Sequence, residues 1–124
     1  MSGRAPLALI AIGADAGRLR QALILGRAEI ALGGEARLLA QGESVMLFRT
    51  MLVLEEDERW QAVGEPTLAE LIDEAIGDGV EIALCQTSVA MMGLTPDAFH
   101  PGIDYAGPVA FLAGLGASDR LVVV

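Results

Sequence analysis

The chain has no lysine, one cysteine, one histidine and one tryptophan among its 124 residues, and each scarcity excludes something. Eight arginines supply all the positive side chains against seventeen carboxylates, for a formal net charge of −9. That balance argues against any role resting on general contact with nucleic acid or an anionic membrane. A lone thiol excludes an intramolecular disulfide, and nothing points to an oxidising compartment, so a cytoplasmic location is expected. Cys85 and His100 stand fifteen residues apart with no recognisable ligand spacing, so neither a metal nor a cofactor is expected. No apolar run reaches the roughly 18–20 residues that span a bilayer.

What is abundant is apolar. The hydrophobic fraction is 53% and the mean hydropathy +0.51. A domain of this length leaves much of its surface outside, so part of that content is expected to face a partner subunit. The length itself suits one domain over residues 1–124 with a single sizeable core.

Leu7–Ile12 is a short continuous apolar run ending at Gly13, the pattern of a strand covered on both faces. With Arg4 before it and Ala14-Asp15-Ala16 after it, the same stretch imitates a signal peptide. The strand reading is preferred because the next segment is a helix that needs it for packing. Asp15 caps that helix, Leu19, Leu23, Gly26 and Ile30 recur at helical spacing, and Arg18, Arg20, Arg27 and Glu29 occupy its other faces. Ala36–Ala40 reads as a second strand. Val45–Leu54 has no clear assignment, and the LEEDERWQAVGEP stretch reads as a surface loop or insertion with a solvated acidic run, Glu55–Glu58. Thr67-Leu68-Ala69-Glu70 is a capping box opening a helix that Gly77 and Gly79 end. Val80–Leu84 is a strand delivering Cys85 at its C-terminal end. Thr95-Pro96-Asp97 starts a helical turn, Gly107-Pro108 opens a last helix through Leu115, and Leu121–Val124 is a terminal strand. This alternation implies an α/β fold with a mostly parallel sheet of about five strands, wrapped on both faces.

Two readings of Cys85 stay open. A free cysteine is commonly a small buried hydrophobe. In open α/β sheets, however, chemistry collects outside the carboxyl ends of the strands, where Cys85 sits. Gln86, Thr87 and Ser88 follow with side-chain and backbone donors, and a helix beginning near Ser88 would favour the thiolate.

The segment GVEIALCQTSVAMMGL, then Thr95–Phe99, then GPVAFLAGLGASDRLVVV, resembles the DsrE/DsrF-like family. The resemblance extends over the N-terminal strand, helix and second strand, and is weakest from Val45 to Glu65. It implies a flavodoxin-like three-layer α/β sandwich assembled as a homo-oligomer, a trimer or hexamer. It also implies that Cys85 accepts a sulfane sulfur as a persulfide and passes it on, with separate sulfur donor and acceptor proteins as partners. The Cys-x-x-Ser form, Cys85 to Ser88, is similar to a peroxiredoxin-like branch. One cysteine suffices for such a relay, because the acceptor's own thiolate removes the outer sulfur. A peroxidase cycle would need an external thiol to resolve its sulfenic acid. The alternative function is a non-catalytic assembly subunit, or a small-ligand-binding module with an inert, buried Cys85.

Other candidates are weaker. Gln86 and Ser88 would line the site. His100 is either a proton donor near Cys85 or an ordinary loop histidine. Gly13–Gly17 matches no phosphate-binding fingerprint. Met91 and Met92 suit core gaps or an interface, and Trp60 either staples its loop or meets a neighbour.

Overall fold

The structure, a computed structural model, describes residues 3–124. Five strands form one sheet: β1 (Leu7–Ala11), β2 (Ala36–Ala40), β3 (Glu81–Cys85), β4 (Asp104–Ala106) and β5 (Arg120–Val123). Their order is β4-β3-β2-β1-β5, and every neighbouring pair is parallel. The chain steps outward from β1 to β4, then returns across the sheet to lay β5 on the other side of β1. The expected flavodoxin-like α/β sandwich is therefore present. All five residues of β1 are buried, as its unbroken apolar run requires of a strand in the sheet interior.

The two faces are covered unequally. α1 (Ala16–Ala31) and α3 (Leu68–Asp78) pack side by side on one face, where Leu9, Leu38, Ile82 and Leu84 meet Leu19, Leu23, Leu71 and Ile72. On the other face Ala8, Ile10 and Leu39 meet Phe111 of α5 (Pro108–Ala113), a helix of six residues. The caps follow the sequence: Asp15 accepts from the Arg18 N–H at 3.0 Å, and Thr67 and Glu70 complete their box at 2.9 and 3.2 Å. Gly79 closes α3 at φ +108°, a conformation that L side chains rarely adopt.

Several expectations need correction. The unassigned stretch after β2 is a 3-10 segment, Gly42–Phe48, that sends Val45, Leu47 and Phe48 into the core. β4 escaped the sequence reading because three residues between Gly102 and Gly107 carry almost no periodicity. The last helix ends at Ala113, not Leu115, and the terminal strand begins at Arg120.

The polar stretch is not all loop, since α2 (Asp57–Ala62) runs through it. Nor is its acidic run wholly solvated. Asp57 is buried, and its carboxylate accepts from the Leu54 N–H at 2.9 Å and the Leu68 N–H at 3.3 Å. It thus ties the excursion to the first turn of α3. Asp57→Ala should cost about 2–3 kcal/mol by urea denaturation, because two backbone donors lose a charged acceptor. Exposed Glu58→Ala should stay within about 0.5 kcal/mol. Equal effects of the two would restore the solvated-run reading. Trp60 is half-buried under the Arg20 guanidinium, 4.3 Å from the ring centroid. Arg20 itself is buried and donates to the Pro66 carbonyl at 2.8 Å. Trp60 is therefore a staple within the chain.

Glu29, on a face of α1 other than its apolar one, is also buried. Its carboxylate accepts from Arg4 Nε at 2.6 Å and Arg120 Nη2 at 2.7 Å, joining the N-terminal segment, α1 and β5. A Cβ at Gly34 would collide with that carboxylate, so a side chain there would have to push Glu29 from its place. The hydrogen bonds from Arg4 and then Arg120 outweigh burial and hold Glu29 well below its ordinary 4.5, at about 2. A carboxylate depressed on folding adds stability that is fully present above its unfolded value and disappears as pH falls through its folded one. Glu29→Gln should therefore lower the melting temperature most at neutral pH, and the gap should narrow from about pH 4.5 towards 2. A gap that does not change with pH would mean the ion pairs contribute nothing.

Candidate functional site

The carboxyl ends of the strands meet at one edge of the sheet, and Cys85 lies there. It is the last residue of β3 and also the N-cap of α4 (Gln86–Met91). The helix therefore begins two residues earlier than Ser88. Its backbone is extended at φ −64°, ψ 119°, and its register partner is Ala106 of β4. By strand alternation its side chain shares the α5 side of the sheet with Ala83.

The first turn of α4 surrounds the thiol. An N-cap side chain faces the N–H groups two and three residues ahead, here those of Thr87 and Ser88. Burial is the largest single influence on the thiol and pushes its pKa up. The Ser88 hydroxyl and the Ser88 and Thr87 N–H groups favour the anion, and together they prevail, so the pKa is lowered. None makes a regular cap hydrogen bond to the sulfur, a weak acceptor as a neutral thiol.

Ser88 is fixed from behind. Its Oγ accepts from the Gly42 N–H at 2.8 Å, across from the turn that follows β2. Gln86 is exposed on the first turn, Thr87 is exposed beside it, and Cys85 retains 6% of its surface. Next to Ala106, Gly107 borders open space. The edge thus has polar groups at its rim and a buried sulfur behind them.

His100 is held elsewhere. Its Nδ1 accepts from the Gly102 N–H at 2.9 Å, and its Nε2 lies 3.6 Å from Asp73 Oδ1 on α3. It lines a small cleft with Phe48, Arg49, Thr50 and Ile72. The structure thus brings Cys85, Ser88 and the exposed Gln86 into one turn and gives His100 other partners. The wider clefts lie beside Leu52 to Asp57, about 630 Å³, and between α1 and Trp60, about 550 Å³. Among the described residues, no three His, Cys, Asp or Glu side chains are grouped to hold a metal ion. Also among them, no helix is long and apolar enough to cross a membrane.

The model of the DsrE/DsrF/DrsH-like family matches residues 20–122, which include β2, β3, Cys85 and all of α4. The chain belongs to that family. No curated protein matches it. Two solved structures share the fold of this family member. The ychN protein from E. coli is 15% identical with a TM-score of 0.73, over 98% of this chain and 100% of that one. MTH1491 from Methanobacterium thermoautotrophicum, a protein of unknown function, is 15% identical with a TM-score of 0.67 over the same shares. At that identity the likeness concerns architecture alone.

Sequence reasoning missed Gly42. A glycine after a strand is an ordinary turn signal, and nothing along the chain announces that its N–H reaches a serine forty-six residues away.

Proposed function

We propose that this protein is a sulfur carrier, a persulfide-forming sulfurtransferase subunit of an intracellular relay, with Cys85 as the acceptor. The observation that carries the reading is a thiol lowered in pKa despite burial, at the carboxyl edge of a parallel sheet. The Cys85 thiolate attacks the outer sulfur of a donor persulfide R–S–SH. An S–S bond forms to Cys85, the donor's S–S bond breaks, and the donor leaves as its thiolate. The product, Cys85–S–SH, is resolved in the same way by an acceptor's thiolate, so no external oxidant or reductant is consumed. Ser88 and the Thr87 and Ser88 N–H groups stabilise the sulfur anion, and Gln86 lines the approach. His100 takes no part in this step. Residues 1–124 act as one domain in the cytoplasm, within a homo-oligomer, a trimer or hexamer, that meets separate donor and acceptor proteins.

One observation favours the second reading, an assembly or small-ligand-binding subunit with an inert thiol: Cys85 is only 6% exposed. Intact-protein mass after incubation with polysulfide separates the two. The carrier gains one sulfur at Cys85 in the folded state. An inert core thiol gains none until the protein unfolds.

A further inference from the structure

We propose that the cleft between α1 and Trp60 binds a small organic monocarboxylate, with the Arg20 guanidinium receiving the carboxylate. The inference does not rest on the sulfur-carrier reading. The cleft is on the α1 and α3 side of the sheet, whereas Cys85 faces the α5 side.

Three charged side chains are buried among the described residues: Arg20, Glu29 and Asp57. Glu29 is answered by Arg4 and Arg120, and Asp57 by two backbone N–H groups. Arg20 has no such answer. It keeps 2% of its surface, yet among the described residues no carboxylate comes within 4 Å of it. Its polar contacts are the Pro66 carbonyl, which accepts from Nη2 at 2.8 Å, and the face of Trp60. A carbonyl dipole and a ring quadrupole ease a buried charge without cancelling it, and a buried arginine is ordinarily paired. The chain has seventeen carboxylates, and none is spent here.

The unused donors open on a cavity. A guanidinium carries five N–H groups, and Nε and Nη1 have no hydrogen-bond partner in the chain. Among the described residues no side-chain nitrogen is both buried and unpartnered, so these two keep an opening. Arg20 lines a cleft of about 550 Å³. Small-molecule sites run to roughly 300–1,000 Å³. Beyond the guanidinium, Ile24, Ala28, Ala31 and Leu71 give the cleft an apolar wall. A cation held in place beside such a wall fits a ligand with an anionic head and an apolar body, and the planar guanidinium fork matches a carboxylate. The other charges limit that ligand to one negative charge. Arg27 is engaged by Glu74 at 3.3 Å and Asp78 at 2.6 Å, and exposed Glu65 also lines the cleft. A dianion such as a phosphate monoester would meet more repulsion than Arg20 alone offsets.

The probe is hexanoate, followed by the emission of Trp60, the only tryptophan, and independently by thermal unfolding. Hexanoate should bind saturably and raise the melting temperature, as a ligand of the native state does. Hexan-1-ol lacks the charge and acetate lacks the body, so each should bind about tenfold more weakly. Arg20→Met should leave no saturable binding. If that variant does not fold, Ala28→Glu decides. It sets a carboxylate at an exposed position of the same wall, should unfold near the wild-type temperature without ligand, and should weaken hexanoate about tenfold. Gln21→Glu makes the same charge change on α1 outside the cleft and should bind as the wild type does. Three results would overturn the proposal: no saturable binding of hexanoate, hexan-1-ol binding as well as hexanoate, or equal effects of Ala28→Glu and Gln21→Glu.

Discussion

Incubated with polysulfide at pH 7, the wild-type protein is expected to gain about 32 Da, one sulfur atom, while Cys85→Ser gains nothing. The effect is all-or-none because the chain has a single thiol. The pH at which loading begins tells more than its occurrence. An unperturbed thiol is half ionised near pH 8.5 and loads poorly below it. Burial alone would move Cys85 further from reactivity, but the Ser88 hydroxyl and two N–H groups reverse that effect. The loading rate should therefore level off at a lower pH than that of a free thiol. Cys85→Ser is a fair control, because serine is itself a favoured N-cap and should leave α4 intact. Loading that requires denaturant would leave Cys85 a core residue and make the protein an assembly or binding subunit.

Much of this edge was legible in the sequence, for physical reasons that also explain what was not. β1 and β3 are short apolar runs bounded by glycines or a helix cap, and both appear with ends within a residue or two of expectation. The capping box at Thr67 is a local device, so four residues suffice to read it. Cys85 could be placed because a parallel strand's carboxyl end is a topological position. Long-range partners were hidden. Glu29 and Asp57 look like surface carboxylates until Arg4, Arg120 and two backbone N–H groups converge on them. Burial of a charge depends on contacts that helical periodicity does not record. The Gly42–Ser88 contact belongs to the same class. For His100 the sequence left a proton donor and a hydrogen-bonded loop histidine open, and the contacts of its ring are with Asp73 and Gly102.

The other large expected effect concerns the thinly covered face. Leu121 and Val123 pair with Ala8 and Ile10 and so continue the side of the sheet that those two present to Phe111. Leu121 and Val123 remain 48% and 55% exposed, and Val109 and Leu112 of α5 are exposed nearby in the chain. A strand edge with apolar side chains and no lysine to guard it favours association. The apolar excess noted in the composition is spread partly over α1 (Ile24, Leu25), Met51, Val53, Val63 and Met91, and part of it lies on the α5 side. If copies of the chain meet there, Val123→Asp introduces a carboxylate that must be desolvated at each contact, against a chain already carrying a net charge of −9. Light scattering after size exclusion should give a trimer or hexamer for the wild type, and a mass about three or six times smaller for the variant. The variant's melting temperature at high dilution should match the wild type's, because the residue contributes little to the monomer's own core. A wild type that is monomeric at all concentrations would end the oligomer proposal. A stable oligomer indifferent to Val123→Asp would move the interface elsewhere, and with it the reason for leaving this face bare.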